Sequence, residues 1–281
     1  MDYVGQVPRP PLDAFIDDIY VLTGVPPYRR MKVPPMPSAN LMVNLGEPFQ
    51  MHDALPGVPS AACGESWAMG LWTRHYVVEW PPFLRLAGVH FKPGGVYPFL
   101  RTPLSELHDQ IISMDTIWGR FAGEFRERLH AAPTPRAALA VLEGLLRARL
   151  MDDPPPGLGI VQHTIGRIAR EHGTVPIREL SEQAGVSVNH LGTTFKQLVG
   201  VPPKRLARIY RFARVVGSLD AAGPVDWSFL AHQARYYDQS HFTKDFVEFT
   251  GLTPGDYLRL RRRFLAENPR HALDVGPLPA E

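Results

Sequence analysis

The sequence feature that most constrains the fold is a helical pattern that occurs twice in the second half of the chain. VSVNHLGTTFKQLVG spans Val186–Gly200, and YYDQSHFTKDFVEFTG spans Tyr236–Gly251. Within each segment, large apolar residues fall at i, i+4 and i+7, which places them on one face of a helix. At an offset of 51 the segments share matched positions: His190 with His241, Leu191 with Phe242, Phe195 with Phe246, Gly200 with Gly251 and Pro203 with Pro254. We therefore expect two helices of one design, each buried on its shared face and ended by its glycine.

A shorter helical segment precedes each repeat. IRELSEQAG begins at Ile177 and WSFLAHQAR begins at Trp227, and they match at an offset of 50, so the second turn has one extra residue. Ser187 and Asp238 suit the N-cap position of the following helix. Two short helices joined by a tight turn form a helix-turn-helix, and two copies joined by a basic segment strengthen the interpretation. The predicted units span residues 177–200 and 227–251.

The chain divides into two domains near a proline-rich segment. Met151–Gly159, MDDPPPGLG, interrupts the helical pattern because proline lacks the amide donor that a helix needs. We predict domains at residues 1–154 and 155–270, with a C-terminal tail at 271–281. Residues 157–270 carry 16 lysine and arginine residues against 10 acidic ones, whereas residues 1–156 carry 14 against 16. A basic C-terminal domain is typical of a module that binds a polyanion.

The first domain begins with strand signals and ends with helix signals. Short aliphatic and aromatic segments bounded by Gly, Pro and Asn predict strands at LMVNL, SWAMGLW, HYVVEW and FLRLAGVHF, which start at residues 41, 66, 75 and 83. Apolar residues at helical spacing follow in Met114–Ala132 and Pro135–Leu150. The fold class is therefore α+β multidomain, with a β-rich first domain and an all-α second domain. The leucine stripe of Leu139–Leu150 fits packing on the β-rich body, and pairing with a second subunit is the alternative.

The segment ARYYDQSHFTKDFVEFTGLTPGDYLR resembles the second-motif signature of the AraC family of bacterial transcription regulators. The resemblance extends from Ile160 to about Arg263. It implies two helix-turn-helix units on a long middle helix, each placing a recognition helix in one of two successive major grooves of double-stranded DNA. Two positions depart from the family pattern, because Thr193 replaces a usual arginine and Arg235 replaces a common turn glycine. Since Gly192 also lacks a side chain, we expect the first unit to discriminate less between bases than the second.

The resemblance also implies which side chains meet DNA. The expected base-reading residues are Asn189, His190, Thr193, Gln239, Ser240, His241 and Lys244. The expected phosphate contacts are Lys196, Lys204, Arg205, Arg208 and Arg211, with Arg261–Arg263 as a further contact near the C-terminus. The alternatives are a solvated charged face for the basic residues and local capping or packing for His241.

The first domain is similar to the cupin-like sensor domain attached to many actinobacterial AraC-type regulators. VNLGEPF, GVHFKPGGVYPFL, PLSELHDQ and IWG, starting at residues 43, 88, 103 and 117, carry this similarity. It implies a β-barrel-like sensor with trailing helices. Seven residues either line an effector pocket or belong to the core: Trp67, Trp72, His75, Tyr76, Trp80, Tyr97 and Phe99.

Several function classes lack support in the sequence. No paired histidines or cupin-type glutamate spacing occur, and no catalytic triad can be read, so we expect no metal, no cofactor and no enzymatic activity. The lone cysteine, Cys63, excludes a methyl-accepting repair regulator with a cysteine-held zinc. A leader and a membrane-spanning run are not evident, so we expect a cytoplasmic, nucleoid-associated protein.

The leading hypothesis is a sequence-specific transcription regulator with a small-molecule effector. A homodimer, and RNA polymerase for an activator, are further expected partners. The alternatives are a cupin-type enzyme fused to a DNA-binding module, and an interaction protein whose helix-turn-helix units no longer bind DNA.

Overall fold

The first half of the chain folds into two antiparallel sheets. The computed structural model describes residues 1–55, 57–269 and 278–280. The strands are β1 Asp2–Gln6, β2 Ile16–Gly24, β3 Arg30–Val33, β4 Ala39–Asn44, β5 Phe49–Asp53, β6 Ala61–Cys63, β7 Ser66–Met69, β8 Tyr76–Glu79, β9 Leu84–Phe91, β10 Ile111–Ser113 and β11 Leu278–Pro279. One sheet has the order β1-β2-β9-β4-β7-β10 and the other β11-β3-β8-β5-β6. The β-rich first domain is confirmed, but the two sheets do not close into one barrel.

The six-stranded sheet is covered on both faces. Ile19 and Val21 of β2 point into a core shared with the trailing helices, while Tyr20 between them points into the core between the sheets. Alternate residues of a strand face opposite sides, so the two cores use alternate positions of the same strands. This double coverage explains why β9 reads as a nearly continuous apolar segment.

Helices follow the sheets in chain order. Their bounds are α1 Tyr97–Leu100, α2 Met114–Trp118, α3 Arg120–His130, α4 Pro135–Arg149, α5 Leu158–Arg170, α6 Ile177–Gln183, α7 Val188–Val199, α8 Pro203–Gly217, α9 Trp227–Gln233, α10 Gln239–Thr250 and α11 Pro254–Glu267. The predicted segment Met114–Ala132 is divided at Gly119, which has a φ of +56°. Leu139, Leu142 and Leu146 are buried in the core beneath β2, so packing within the chain accounts for the leucine stripe.

The second half builds its own core around α8. Leu206, Ile209 and Phe212 of α8 are buried together with Phe195 of α7 and Phe246 of α10. The matched positions of the two repeats thus meet in one core, as their shared spacing predicts. Part of the predicted tail, residues 271–277 and 281, lies outside the described residues. Within residues 278–280, β11 pairs with β3 of the first domain, and Leu278 packs into the helical core.

The two domains are packed against each other at the ends of both predicted recognition helices. Gly200 ends α7 with a φ of +94°, and a Cβ added there would lie 2.7 Å from the carbonyl oxygen of Leu104 in the first domain. Gly251 ends α10 with a φ of +68°, and a Cβ there would lie 2.6 Å from Cε1 of His75. Both glycines therefore have two roles, since they allow the left-handed cap of the helix and the close approach of the first domain.

Among the residues described, none of the helices has the length and apolar character required to cross a membrane.

Replacing Gly200 by alanine should destabilise the protein. The left-handed backbone alone costs an L-residue roughly 1–2 kcal/mol, and the new methyl group also meets the Leu104 carbonyl. We expect the free energy of unfolding to fall by about 2 kcal/mol or more, measured by urea denaturation.

Gly192→Ala is the matched control on the same helix. Nothing lies within 4 Å of a Cβ at Gly192, so alanine should raise stability by roughly 0.5–1 kcal/mol. A Gly200→Ala variant as stable as the parent chain would show that the interface at Leu104 is looser than described.

Candidate nucleic-acid interface

Both predicted helix-turn-helix units are present, with the predicted caps. The Ser187 hydroxyl accepts the backbone N–H of His190 at 3.1 Å, and the Asp238 carboxylate accepts that of His241 at 2.7 Å. α7 and α10 each begin at the residue after this cap and run for 12 residues to a left-handed glycine. The N-terminal turns of α7 and α10 are therefore equivalent surfaces, and both face solvent.

On α7, the exposed predicted reading residues are Asn189, His190 and Thr193. The Thr193 hydroxyl donates to the backbone carbonyl of Asn189 at 3.1 Å. Its one donor is therefore engaged within the helix and is not available to a ligand. Gly192 offers no side chain between them. The amide of Asn189 and the imidazole of His190 are thus the main hydrogen-bonding groups of this surface.

On α10, the exposed predicted residues are Gln239, Ser240, His241 and Lys244. The imidazole of His241 also packs locally, edge-on to Tyr236 with ring centroids 5.6 Å apart and with Nε2 3.8 Å from a carboxylate oxygen of Asp245. Lys244 has no ion pair or hydrogen bond within the described residues. α10 consequently offers more free polar groups than α7.

The three arginines of α8 that we predicted to bind phosphate all make contacts inside the protein. Arg208 donates to both carboxylate oxygens of Asp245, at 2.7 and 3.2 Å, and to Glu248 at 2.5 Å. Arg205 donates to Glu248 and to the backbone carbonyl of Thr73 in the first domain. Arg211 donates to the carbonyl of Gly173 at 3.1 Å, with its guanidinium 5.2 Å from the ring centroid of Tyr236.

These ion pairs change the acid strength of Glu248. Burial by itself raises the pKa of Glu248, but the hydrogen bonds and charges of Arg208 and Arg205 outweigh it and hold the pKa below its ordinary value. The charged form of Glu248 therefore stabilises the fold above its ordinary pKa, and this contribution is lost as the pH falls through the lowered value. Near neutral pH the pairs are intact.

Other predicted cations differ in their availability. Lys196 and Lys204 are exposed and have no ion pair within the described part of the chain. The Arg261–Arg263 contact with DNA fits the structure poorly, because Arg261 is buried, Arg262 donates to the carbonyls of Ala221 and Gly223, and Arg263 pairs with Glu267.

The extra residue that the sequence predicts in the second turn is an exposed aromatic side chain. With Tyr236 buried at the position of Val186 in the first unit, the inserted residue is Tyr237, whose exposed fraction is 93%. Arg235 before it has a φ of +53°, the left-handed conformation that Gly185 adopts at +67° in the first unit. The change of offset from 51 to 50 was the signal that located this insertion.

The seven residues proposed for an effector pocket do not line one cavity. Trp67, Trp72 and Tyr76 are buried between the two sheets, and Phe99 lies in the other core, beneath the helices. Tyr97 is partly buried next to both helical cores. His75 lies at the domain interface, where burial lowers its pKa to about 4 and keeps the imidazole neutral at physiological pH.

A surface cavity of about 510 Å³ in the first domain includes only Trp80 of that set. Phe49 and Trp80 form its aromatic wall, with ring centroids 5.1 Å apart. Its charged lining residues are Arg29, Glu47 and Glu79, and Arg29 is paired with Glu79 at 3.0 Å. The carboxylate of Glu47 has no ion pair in the described part of the chain, and it thus gives the cavity a negative charge.

Two family models match the chain. Residues 180–260 match a family described as "Helix-turn-helix domain", a range that extends from α6 into α11 and contains α7 and α10. Residues 6–113 match "Domain of unknown function (DUF6597)", a range that extends from the last residue of β1 to the end of β10. A search of curated proteins found no match.

Several solved structures are similar to this chain at low sequence identity. ToxT from Vibrio cholerae O395 is 10% identical, covers 92% of this chain and 97% of its own, and has a TM-score of 0.46. ToxT from V. cholerae strain SCE256 with a bound unsaturated fatty acid is 12% identical over 91% of this chain and 94% of its own, with a TM-score of 0.43. CuxR, an AraC-like transcriptional activator, is 13% identical over 75% of this chain and 85% of its own, with a TM-score of 0.28.

Replacing Arg208 by alanine should lower stability. Asp245 is only 2% exposed, so removing its partner leaves a buried carboxylate unpaired, which costs about 3 kcal/mol or more. We expect a lower Tm at neutral pH, and a smaller loss at low pH, where protonation of Glu248 removes the other ion pair of Arg208. Circular dichroism melting at both pH values measures this.

Lys196→Ala is the control, because this exposed lysine has no partner among the residues that the structure describes. Its Tm should stay within a degree or two of that of the parent chain. If Arg208→Ala left the Tm equally unchanged, the ion pair with Asp245 would not hold α10 in place.

Proposed function

We propose that this chain, a DNA-binding regulator with a helix-turn-helix domain of the AraC type, reads DNA by inserting α7 and α10 into two successive major grooves. The observation that carries the proposal is the repeated exposed surface at the N-terminal turns of α7 and α10, both packed on the single helix α8. A major groove accepts one α-helix, and residues near the N-terminus of a recognition helix meet the base edges. Two such helices on one rigid support favour a two-part DNA site.

The two units contribute unequally to sequence discrimination in this proposal. Gln239 can form two hydrogen bonds with adenine, and Lys244 can reach guanine or a phosphate. The first unit offers the shorter Asn189 and His190, because Thr193 donates to its own helix. A bidentate contact discriminates by about 1–3 kcal/mol, and Thr193 cannot make the bidentate contact with guanine that an arginine at this position would make.

Phosphate contacts in this proposal fall first to Lys196 and Lys204, which are exposed and unpaired within the described residues. Arg205, Arg208 and Arg211 would contact phosphate only through the donors that their internal partners leave free. The latter three therefore act mainly by fixing the position of α10.

The first domain is proposed to bind a small cationic molecule in the cavity next to Trp80. Aromatic faces attract organic cations, and here Phe49 and Trp80 lie in the same cavity as the carboxylate of Glu47. An amine or a quaternary ammonium compound fits this combination better than an acid. Through the packed domain interface, such a ligand would act on the position of α7 and α10.

The proposal extends to the cellular setting. Double-stranded DNA is the partner in the cytoplasm, the protein assembles as a homodimer, and an activating role would bring contact with RNA polymerase. No enzymatic activity is part of the proposal, and metal analysis of the purified protein distinguishes it from a cupin-type enzyme fused to a DNA-binding module.

Selection of duplexes from a random DNA pool by the full chain, at two salt concentrations, tests the proposal. We expect a two-part motif with one strong half and one faint half. Gln239→Ala should cost about 1–3 kcal/mol in binding and relax one position of the strong half. Asn189→Ala is the matched variant, and it should relax only the faint half.

Two outcomes would contradict the proposal. No enriched duplex, with weak binding that hardly depends on salt, would favour an interaction protein with helix-turn-helix units that no longer bind DNA. If Gln239→Ala selected the same motif as the parent chain, the assignment of Gln239 on α10 as a base-reading residue would be wrong.

Thermal denaturation with benzyltrimethylammonium, and with benzoate as the acidic counterpart, tests the effector site. The ammonium compound should stabilise the parent chain, by roughly 2.7 kcal/mol at a hundredfold excess over Kd. Glu47→Gln should abolish that gain, and since Glu47 is exposed this substitution should not affect folding. Stabilisation by benzoate alone would reverse the proposed ligand charge.

A further inference from the structure

A concave basic surface lies beside the N-terminal end of α10. It is lined by Arg214 of α8, by His232 and Gln233 at the end of α9, and by Arg235 and Tyr236 of the turn, around a volume of about 650 Å³. We call it the α9 turn surface. His232 and Arg235 are exposed, and Arg214 is half-buried.

The positive charges of the α9 turn surface are not neutralised within the described residues. Neither the two arginines nor the histidine forms a side-chain hydrogen bond or an ion pair there. The guanidinium of Arg211 lies over the ring of Tyr236, which also lines this surface. Cations gathered in a concavity repel one another, and a bound anion relieves this repulsion.

The backbone conformation of Arg235 is unfavourable as well. Its φ of +53° lies in the left-handed region, where a side chain with a Cβ is strained, while the equivalent turn residue of the first unit is a glycine. Arg235 therefore opposes folding through both its conformation and its charge. Residues that combine such costs are concentrated at functional sites.

The first unit provides an internal comparison. Arg167 of α5 corresponds to Arg214, since each lies immediately before a buried aliphatic residue near the end of the helix that leads into its unit. Arg167 donates to Gln183 at 2.8 Å, and Gln183 is the counterpart of Gln233 at the offset of 50. The same guanidinium lies 3.3 Å from a carboxylate oxygen of Glu179, so it is neutralised.

The first-unit residues that correspond to His232 and Arg235 are not basic. Glu182 replaces His232, and it pairs with Arg178 at 2.9 Å. Gly185 replaces Arg235. The two units share a buried core, so this difference in surface charge is not required by packing.

The α9 turn surface is placed next to the reading helix. Tyr236 packs against Phe242 of α10, with ring centroids 5.3 Å apart, and Arg235 precedes Gln239 by only four residues. A recognition helix in a major groove lies between two phosphate backbones, so a cationic concavity beside its N-terminus faces one of them.

We propose that Arg214, His232 and Arg235 hold a backbone phosphate of the DNA strand that borders the groove occupied by α10. This inference rests on the proposed function and assigns the main backbone anchor to the second unit. Guanidinium groups bind phosphate by charge-assisted hydrogen bonds, and each phosphate that they neutralise releases counterions. The first unit has no equivalent anchor, because acidic side chains occupy it.

The test measures the affinity of the full chain for its selected duplex over a range of salt concentrations, with Arg214→Gln and Arg235→Gly. Each variant should lower the magnitude of the salt slope by up to about 1 and weaken binding about fivefold at 0.15 M salt, as one lost phosphate contact implies. The selected motif should not change, because a phosphate contact carries no base information. The Tm of Arg235→Gly should equal or exceed that of the parent chain, since glycine removes the strain.

Arg167→Gln in the first unit is the matched control and should leave the salt slope unchanged. If the parent chain bound its duplex with a normal salt slope that Arg214→Gln and Arg235→Gly did not alter, the anchor would be overturned and the proposed function would stand. A shift of the selected motif in Arg235→Gly, or an equal loss in Arg167→Gln, would also overturn it. If the parent chain bound no duplex, the proposed function itself would fail and this inference with it.

Discussion

The ion pair between Arg208 and Asp245 is the interaction on which the arrangement of the second unit depends. Asp245 lies on the inward side of α10 and is buried, so its charge must be matched by a partner. Arg208 supplies two hydrogen bonds to it and a third to Glu248, and Arg205 links Glu248 to the backbone of Thr73 in the first domain. Apolar packing alone would leave the rotation of α10 on α8 poorly fixed, whereas a bidentate pair defines it.

The same arginines connect α10 to the first domain. Thr73 is itself held by Asp109, which accepts its backbone N–H at 2.6 Å and also binds Arg74. Arg74 in turn pairs with Asp53 of β5, and the same strand contributes Phe49 to the cavity. A continuous set of hydrogen bonds therefore joins the cavity-bearing sheet to Glu248 of α10. Under the proposed function, this path is where a bound effector would change the orientation of α10.

The sequence predicted the second half of the fold well because its signals are local. Helical spacing, a cap and a terminal glycine lie within 15 residues in each repeat, and all of them were found. The roles of Arg205 and Arg208 could not be predicted, since their carboxylate partners lie about 40 residues away and an arginine suits phosphate and carboxylate equally. Likewise, only β4, β7, β8 and β9 were predicted among the strands described, and the two-sheet arrangement could not be derived, because strand pairing is set by non-local contacts. Aromatic content identified the core of the first domain but could not assign Trp67 and Phe99 to different sides of a sheet.

Comparing the two helix-turn-helix units of this chain distinguishes residues that packing requires from residues that packing does not explain. The buried positions of α7 and α10 agree, so folding accounts for them. The exposed positions around the first turn differ between the units, since Arg167 and Arg178 pair with glutamates whereas Arg214 and Arg235 are unpaired within the described residues. A folding constraint would affect both units alike, because both rest on α8. The unpaired charge and the strained turn at Arg235 are therefore best explained by a phosphate contact that only the second unit makes, and the DNA backbone beside α10 has the required charge and position.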